Sequence, residues 1–189
     1  MAASEAVLSL SSRSAVVFDL DDTLYAEADF VQSGFRQVAE ALRPAVETDP
    51  VPELQSLYEQ GEPSVIPRRL PAESAELLSK LAALQVTLGL LTDGRSVTQR
   101  NKITALGIER YFSEIVISEE IGSTKPDRRN FEHFERAWPG REYTYIGDNV
   151  NKDFVAPNAL GWRSIGLRDR GRNIHPQDAG LPREYYPQL

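Results

Sequence analysis

VVFDLDDTLY, residues 16–25, runs from a strand-like apolar stretch into three aspartates within four positions. An apolar run as short as Ala15 to Leu20, with no polar alternation, fits a strand covered on both faces. Asp19 and Asp21 then stand two residues apart where the strand gives way to a turn. They oppose each other's ionisation unless a cation lies beside them. The stretch therefore predicts two things together: a buried strand, and a cation-dependent acidic site at its C-terminal end.

Downstream, helical and strand-like segments alternate. The pattern predicts helix 72–83, strand 86–91, helix 96–106 closed by Gly107, strand 114–117, helix 127–138 stopped by Pro139 and Gly140, strand 143–146, helix 152–160 closed by Gly161, and strand 163–167. Strands separated by helices of this length require crossovers, and hence a parallel sheet with helices on both faces. The expected class is α/β, a Rossmann-like three-layer sandwich with a mainly parallel sheet of about five strands. Residues 26–70 interrupt the alternation. A helical pattern over 27–43, carrying Phe30, Phe35 and Val38, is followed by a proline-rich stretch in which only 53–60 looks helical. This predicts a small helical cap over 26–70 and a core domain built from 1–25 and 71–189. The tail from Arg168 is polar and proline-containing, and is expected on the surface.

The chain has 189 residues, 41% of them hydrophobic, enough for one domain with a sizeable core. Its formal net charge of −7 disfavours nucleic acid and anionic membranes as general partners. Absence of cysteine excludes disulfides, thiolate catalysis and thiolate metal sites. With no signal-like leader and no apolar stretch of spanning length, the expectation is a cytoplasmic protein. Oligomeric state is not legible.

In open parallel sheets, ligands gather beyond the C-terminal strand ends. Four such ends read FDLDDT, LLTDG, STKP and YIGDN. They supply carboxylates, a hydroxyl with amides near Gly94, an ammonium, and a further carboxylate, Asp148, followed by Asp153. Magnesium prefers about six oxygen ligands, and Asp19, Asp148 and the chain at Asp21 make a reasonable partial shell. Asp19 can attack a phosphoryl group to form an aspartyl-phosphate. Asp21 can protonate the leaving oxygen and later activate water. Thr92 can hydrogen-bond phosphate oxygens, and Lys125 can balance charge.

The four motifs in this order resemble the haloacid dehalogenase (HAD) superfamily, whose members are mostly Mg²⁺-dependent phosphohydrolases. DLDDT corresponds to its first motif, Thr92 in LLTDG to the second, Lys125 in STKP to the third and GDNVNKD to the fourth. Any one alone is a weak signal; four in order across about residues 16–167 are a strong one. The resemblance implies a first strand at the centre of the sheet, Asp19 as nucleophile, Asp21 as acid/base, and Mg²⁺ held at Asp19, Asp21 and Asp148. Asp153, Gly94 and Asn149 are implied as supports, and the insertion matches the family's first cap position. The wording around the first motif is also similar to HAD proteins of bacterial surface-polysaccharide synthesis, which points to a sugar phosphate or nucleotide.

The expected activity is hydrolysis of a small phosphomonoester, a phosphorylated metabolite. The alternatives are a phosphotransferase, a 2-haloacid dehalogenase and a non-catalytic binding module. Other residues have simpler readings. Asp22 and Thr23 serve the turn, Asp93 caps the following helix, and Arg95, Arg128 and Arg129 form exposed ion pairs. His133 and His175 lack a second ligand at metal spacing and are expected to be incidental.

Overall fold

The computed structural model describes residues 10–29, 49, 51–52, 70–169, 171, 173–177 and 180–187. Five parallel strands form one sheet: β1 (Ser14–Phe18), β2 (Thr87–Thr92), β3 (Glu114–Ile117), β4 (Glu142–Gly147) and β5 (Arg163–Gly166), in the order β3-β2-β1-β4-β5. β1 is central, with Val17 level with Gly89 on one side and Tyr145 on the other. All five of its residues are buried, as its unalternated composition requires.

The helices are α1 (Ala72–Ala83), α2 (Ser96–Leu106), α3 (Ser118–Ile121), α4 (Arg128–Ala137) and α5 (Val155–Ala159). Side chains alternate across each strand, so the sheet feeds two cores. Val16, Phe18, Leu88 and Leu90 pack with Leu78 and Leu81 of α1 and Ile103 and Leu106 of α2. Val17, Leu91, Val116 and Tyr145 pack on the other face with Phe131 and Phe134 of α4 and Phe154 and Ala156 at α5. Gly89 permits this second contact, because a Cβ there would stand 2.6 Å from the Phe134 ring.

The α/β class and the parallel sheet match the expectation, and α1, α2 and β3 have the expected bounds. α5 is shorter than the expected 152–160. Residues 149–153 instead make a turn, in which the Asp153 amide donates to the Asn149 carbonyl at 2.9 Å. The four-residue α3 went unread, being too short to show a period. Of the expected cap, residues 27–29 are helical, and Val51 and Leu70 pack against the first core. The rest of that expectation, including Phe30, Phe35, Val38 and the helix over 53–60, lies outside the described residues. No helix among the described residues is long and apolar enough to cross a membrane.

Candidate active site

The ladder carries Asp19 to the sheet's C-terminal edge. Its amide donates to the Ile146 carbonyl at 2.8 Å, the last tie to β4. The chain then turns back, with Asp22 at φ 55° and the buried side chains of Leu20, Leu24 and Tyr25 anchoring the loop. Asp22 accepts from the Glu27 amide at 2.8 Å and so caps the start of the next helical turn. Thr23 donates to Asp19 Oδ2 at 3.3 Å.

Three loops meet at Asp19. Lys125, fully buried in its side chain, places Nζ 2.6 Å from Asp19 Oδ1 and 2.7 Å from Asp153 Oδ1. It also donates to the Tyr145 hydroxyl at 3.0 Å, which in turn donates to Asp153 Oδ1 at 3.2 Å. The other oxygen of Asp153 accepts from the amides of Asp148 and Asn149 at 3.1 and 2.9 Å. That arrangement requires a glycine at 147, where a Cβ would lie 2.4 Å from Asp153 Oδ2.

Oxygens of Asp19, Asp148 and Asp153 lie within 4.8 Å of one another, all three residues buried. Burial pushes the Asp19 carboxyl up to about 8; Lys125 pulls against that and Asp153 adds to it. Asp148 is pushed up to about 7 by burial and by the carboxylates of Asp153 and Asp22, against Lys125 and a hydrogen bond from Asn173. Burial alone would push the Lys125 ammonium down, yet the Asp153 and Asp19 carboxylates hold it well above its usual value. One ammonium does not compensate three converging buried carboxyls. The donor set is all oxygen, which fits a hard divalent cation such as Mg²⁺.

The carboxylate of Asp21 is not part of that group. Oδ1 faces Lys102 Nζ at 2.7 Å and the Tyr25 hydroxyl, while Oδ2 accepts from Gln99 Nε2 at 2.9 Å. Asp153, expected as a support, joins Asp19 and Asp148 in the carboxylate cluster. Gln99 also donates to Thr92 Oγ1 at 2.6 Å and to the Asp93 carbonyl, tying the first two motifs together. The Gly94 amide, expected near a phosphate, donates instead to Ser118 Oγ at 2.9 Å. Asp93 does not cap α2, whose N-cap is Arg95. Its Oδ1 accepts from the Lys125 amide at 3.1 Å and its Oδ2 pairs with Lys152 at 3.2 Å, tethering the second, third and fourth motifs. Arg128 and Arg129 pair on the surface with Glu132 and Asp127.

A cavity of about 140 Å³ joins Asp19, Asp21, Thr92, Asp148, Asn149 and His175. His175, expected to be incidental, is therefore part of its wall. A larger cavity of about 610 Å³ opens at the other end of the sheet, around Ser14, Glu142 and Arg163. It holds no converging carboxylates among the described residues, so chemistry rather than size assigns the site.

Gln99, Lys102 and Tyr145 were missed in the sequence. The available signal was on α2, where Gln99 and Lys102 sit three apart on the side that carries Ile103 and Leu106 inward.

Comparison with known proteins agrees with this geometry. A glyceraldehyde 3-phosphate phosphatase from Methanopyrus kandleri is 29% identical, with 84% of each chain covered. A phosphoserine phosphatase from Thermus thermophilus is 34% identical over 59% of this chain and 45% of its own. The HAD hydrolase YfnB from Bacillus subtilis superposes with a TM-score of 0.58 over 88% of this chain and 90% of its own, at 17% identity, a likeness of fold. The model of the haloacid dehalogenase-like hydrolase family matches residues 69–167, more than half of the chain. With a parallel sheet centred on β1 and phosphatases among its relatives, this chain belongs to the haloacid dehalogenase-like hydrolases, as a phosphatase-type member.

Proposed function

We propose that the protein is a Mg²⁺-dependent phosphomonoesterase that works through an aspartyl-phosphate on Asp19. The reading rests on one observation: a buried ammonium within 2.7 Å of two carboxylates, Asp19 and Asp153, with Asp148 completing an all-oxygen group at the strand ends. Asp19, Asp148 and Asp153 would hold the ion, which when bound supplies charge neutralisation between nucleophile and phosphate and polarises the phosphoryl group.

An Asp19 oxygen attacks phosphorus and the bond from phosphorus to the ester oxygen breaks. Asp21 gives its proton to that departing oxygen. Water then attacks the phosphorus of the aspartyl-phosphate and passes a proton to Asp21, releasing phosphate and restoring Asp19. Lys125 opposes the effect of burial on Asp19, favouring its ionised form, and orients it. Because Gln99 donates to the Thr92 oxygen, the Thr92 hydroxyl hydrogen is left to point at an acceptor, such as a non-bridging phosphate oxygen.

The cavity of about 140 Å³ is small beside a drug-sized site, which suits a short ester. The phosphatases from Methanopyrus and Thermus are named for three-carbon phosphomonoesters, glyceraldehyde 3-phosphate and phosphoserine, and we assign the same class here.

The test is a panel of three-carbon phosphoesters, hexose phosphates and nucleoside monophosphates, assayed for phosphate release with Mg²⁺ or with chelator. Release from the three-carbon esters that needs Mg²⁺ and is abolished by Asp19→Asn is expected. Activity unchanged by chelator or by Asp19→Asn would overturn the mechanism.

A further inference from the structure

The family match ends at residue 167, yet the chain beyond it returns to the site. Asp169 Oδ1 accepts from the amides of Gly171 and Asn173 at 2.7 and 3.0 Å, folding the tail into a compact loop. Gln177 Nε2 fastens the far end of that loop to the Leu167 and Asp148 carbonyls, at 2.6 and 2.9 Å. Between these anchors, Asn173 Nδ2 donates to Asp148 Oδ2 at 2.8 Å, and the Ile174 amide donates to Asp22 Oδ2 at 2.9 Å. The loop thus bridges the first and fourth motifs, Ile174 lying 152 positions from Asp22 in sequence. His175, next in the chain, stands on the cavity wall with Asp22 and Asn149.

We propose that residues 173–177 complete the active site, with Asn173 as a positioning residue for Asp148 and His175 as a specificity-determining residue facing the part of the substrate beyond its phosphate. This rests on the phosphatase reading above. Asn173 engages one oxygen of Asp148 and leaves the other for the cation, so the carboxylate meets its ligand already oriented; partners of this kind govern metal affinity. Imidazole donates or accepts one hydrogen bond at each ring nitrogen. That suits His175 to a hydroxyl, carbonyl or carboxylate on a short phosphoester, chemistry that the acidic first-motif side of the cavity does not offer.

Two measurements test it. Calorimetric titration with Mg²⁺ alone should show about tenfold weaker binding in Asn173→Ala than in the unaltered protein, with the thermal midpoint in chelator unchanged. Steady-state kinetics should show that His175→Ala lowers kcat/KM about tenfold or more for three-carbon esters bearing carbonyl or carboxylate groups, while phenyl phosphate turnover falls much less. Equal Mg²⁺ affinity in Asn173→Ala, or an equal fall on all esters in His175→Ala, would overturn the assignment while leaving the phosphatase reading intact. If the unaltered protein hydrolyses no ester, the phosphatase reading and the role of His175 fall together, and the Mg²⁺ titration alone decides Asn173.

Discussion

Lys125 holds the site's charge balance. It is fully buried and shares its ammonium between Asp19 and Asp153, so removing it leaves two carboxylates facing each other without compensation. Breaking a buried ion pair from one side costs about 3 kcal/mol or more. Lys125→Met is expected to lower unfolding stability by about that amount at pH 8 in chelator, and to reduce turnover about a hundredfold or more. Urea denaturation and steady-state kinetics check the two parts, and an unchanged midpoint would show that the ammonium does not carry this charge balance. Which residues would meet was partly legible at this scale. Asp19, Thr92 and Asp148 stand out because charged or hydroxyl groups at the ends of apolar strands have few other reasons to be there, whereas Lys125, separated from β3 by α3, stands out only through its place before Pro126 in the third motif. The role of Asp153 was harder to read, because it depends on Gly147 letting a side chain approach the backbone to 2.4 Å of a missing Cβ, a distance no spacing rule encodes.

Among the elements, α2 does more than cover the sheet. It begins after the second motif and turns Gln99 and Lys102 inward, so that one helix pins Asp21 through both carboxylate oxygens and fixes Thr92 through a third contact. Gln99→Leu keeps the volume and removes these donors. Its expected effect is a fall in kcat of about tenfold to a hundredfold. Affinity for Mg²⁺ should stay the same, because the Gln99 amide donates to Asp21, Thr92 and Asp93 rather than to Asp19, Asp148 or Asp153; calorimetry beside kinetics separates the two. The bounds of α1, α2 and β3 were readable because apolar residues mark each segment, with Pro71 before α1 and Gly107 after α2 as stops. The inner face of α2 was not readable, since its buried residues include an amide and an ammonium and the hydrophobic period fades where function occupies it. Residues 152–154 were expected inside a helix for a related reason: the amides of Lys152 and Asp153 turn back to the Asn149 carbonyl, and the helix begins only at Val155.

For the whole molecule, the buried carboxyls make stability depend on pH. Asp19 and Asp148 are raised from 3.8 to about 8 and about 7 by burial first and by neighbouring carboxylates next. Between about pH 4 and pH 8 the folded chain keeps protons that the unfolded chain has released, so stability falls as pH rises through that window. A divalent cation binds the deprotonated forms and opposes the trend. Thermal midpoints in chelator should therefore drop from pH 5.5 to pH 8, and the gain on adding Mg²⁺ should grow over the same range. A gain that shrinks as pH rises would contradict the assigned charge balance. Sheet class and parallel crossovers were legible at this scale from the alternation alone. The return of residues 173–177 to Asp22 and Asp148 was not, because a polar tail with no period carries no sign of where it docks.

The central claim, that Asp19 carries the phosphoryl group, is tested most directly by quenching a reaction in progress on a three-carbon phosphoester with borohydride and mapping the peptides by mass. An aspartyl-phosphate is reduced to homoserine, so the account predicts that mass change at residue 19, dependent on Mg²⁺ and absent in Asp19→Asn. Turnover proceeding with residue 19 unmodified, or with the reduced residue at another aspartate, would contradict it.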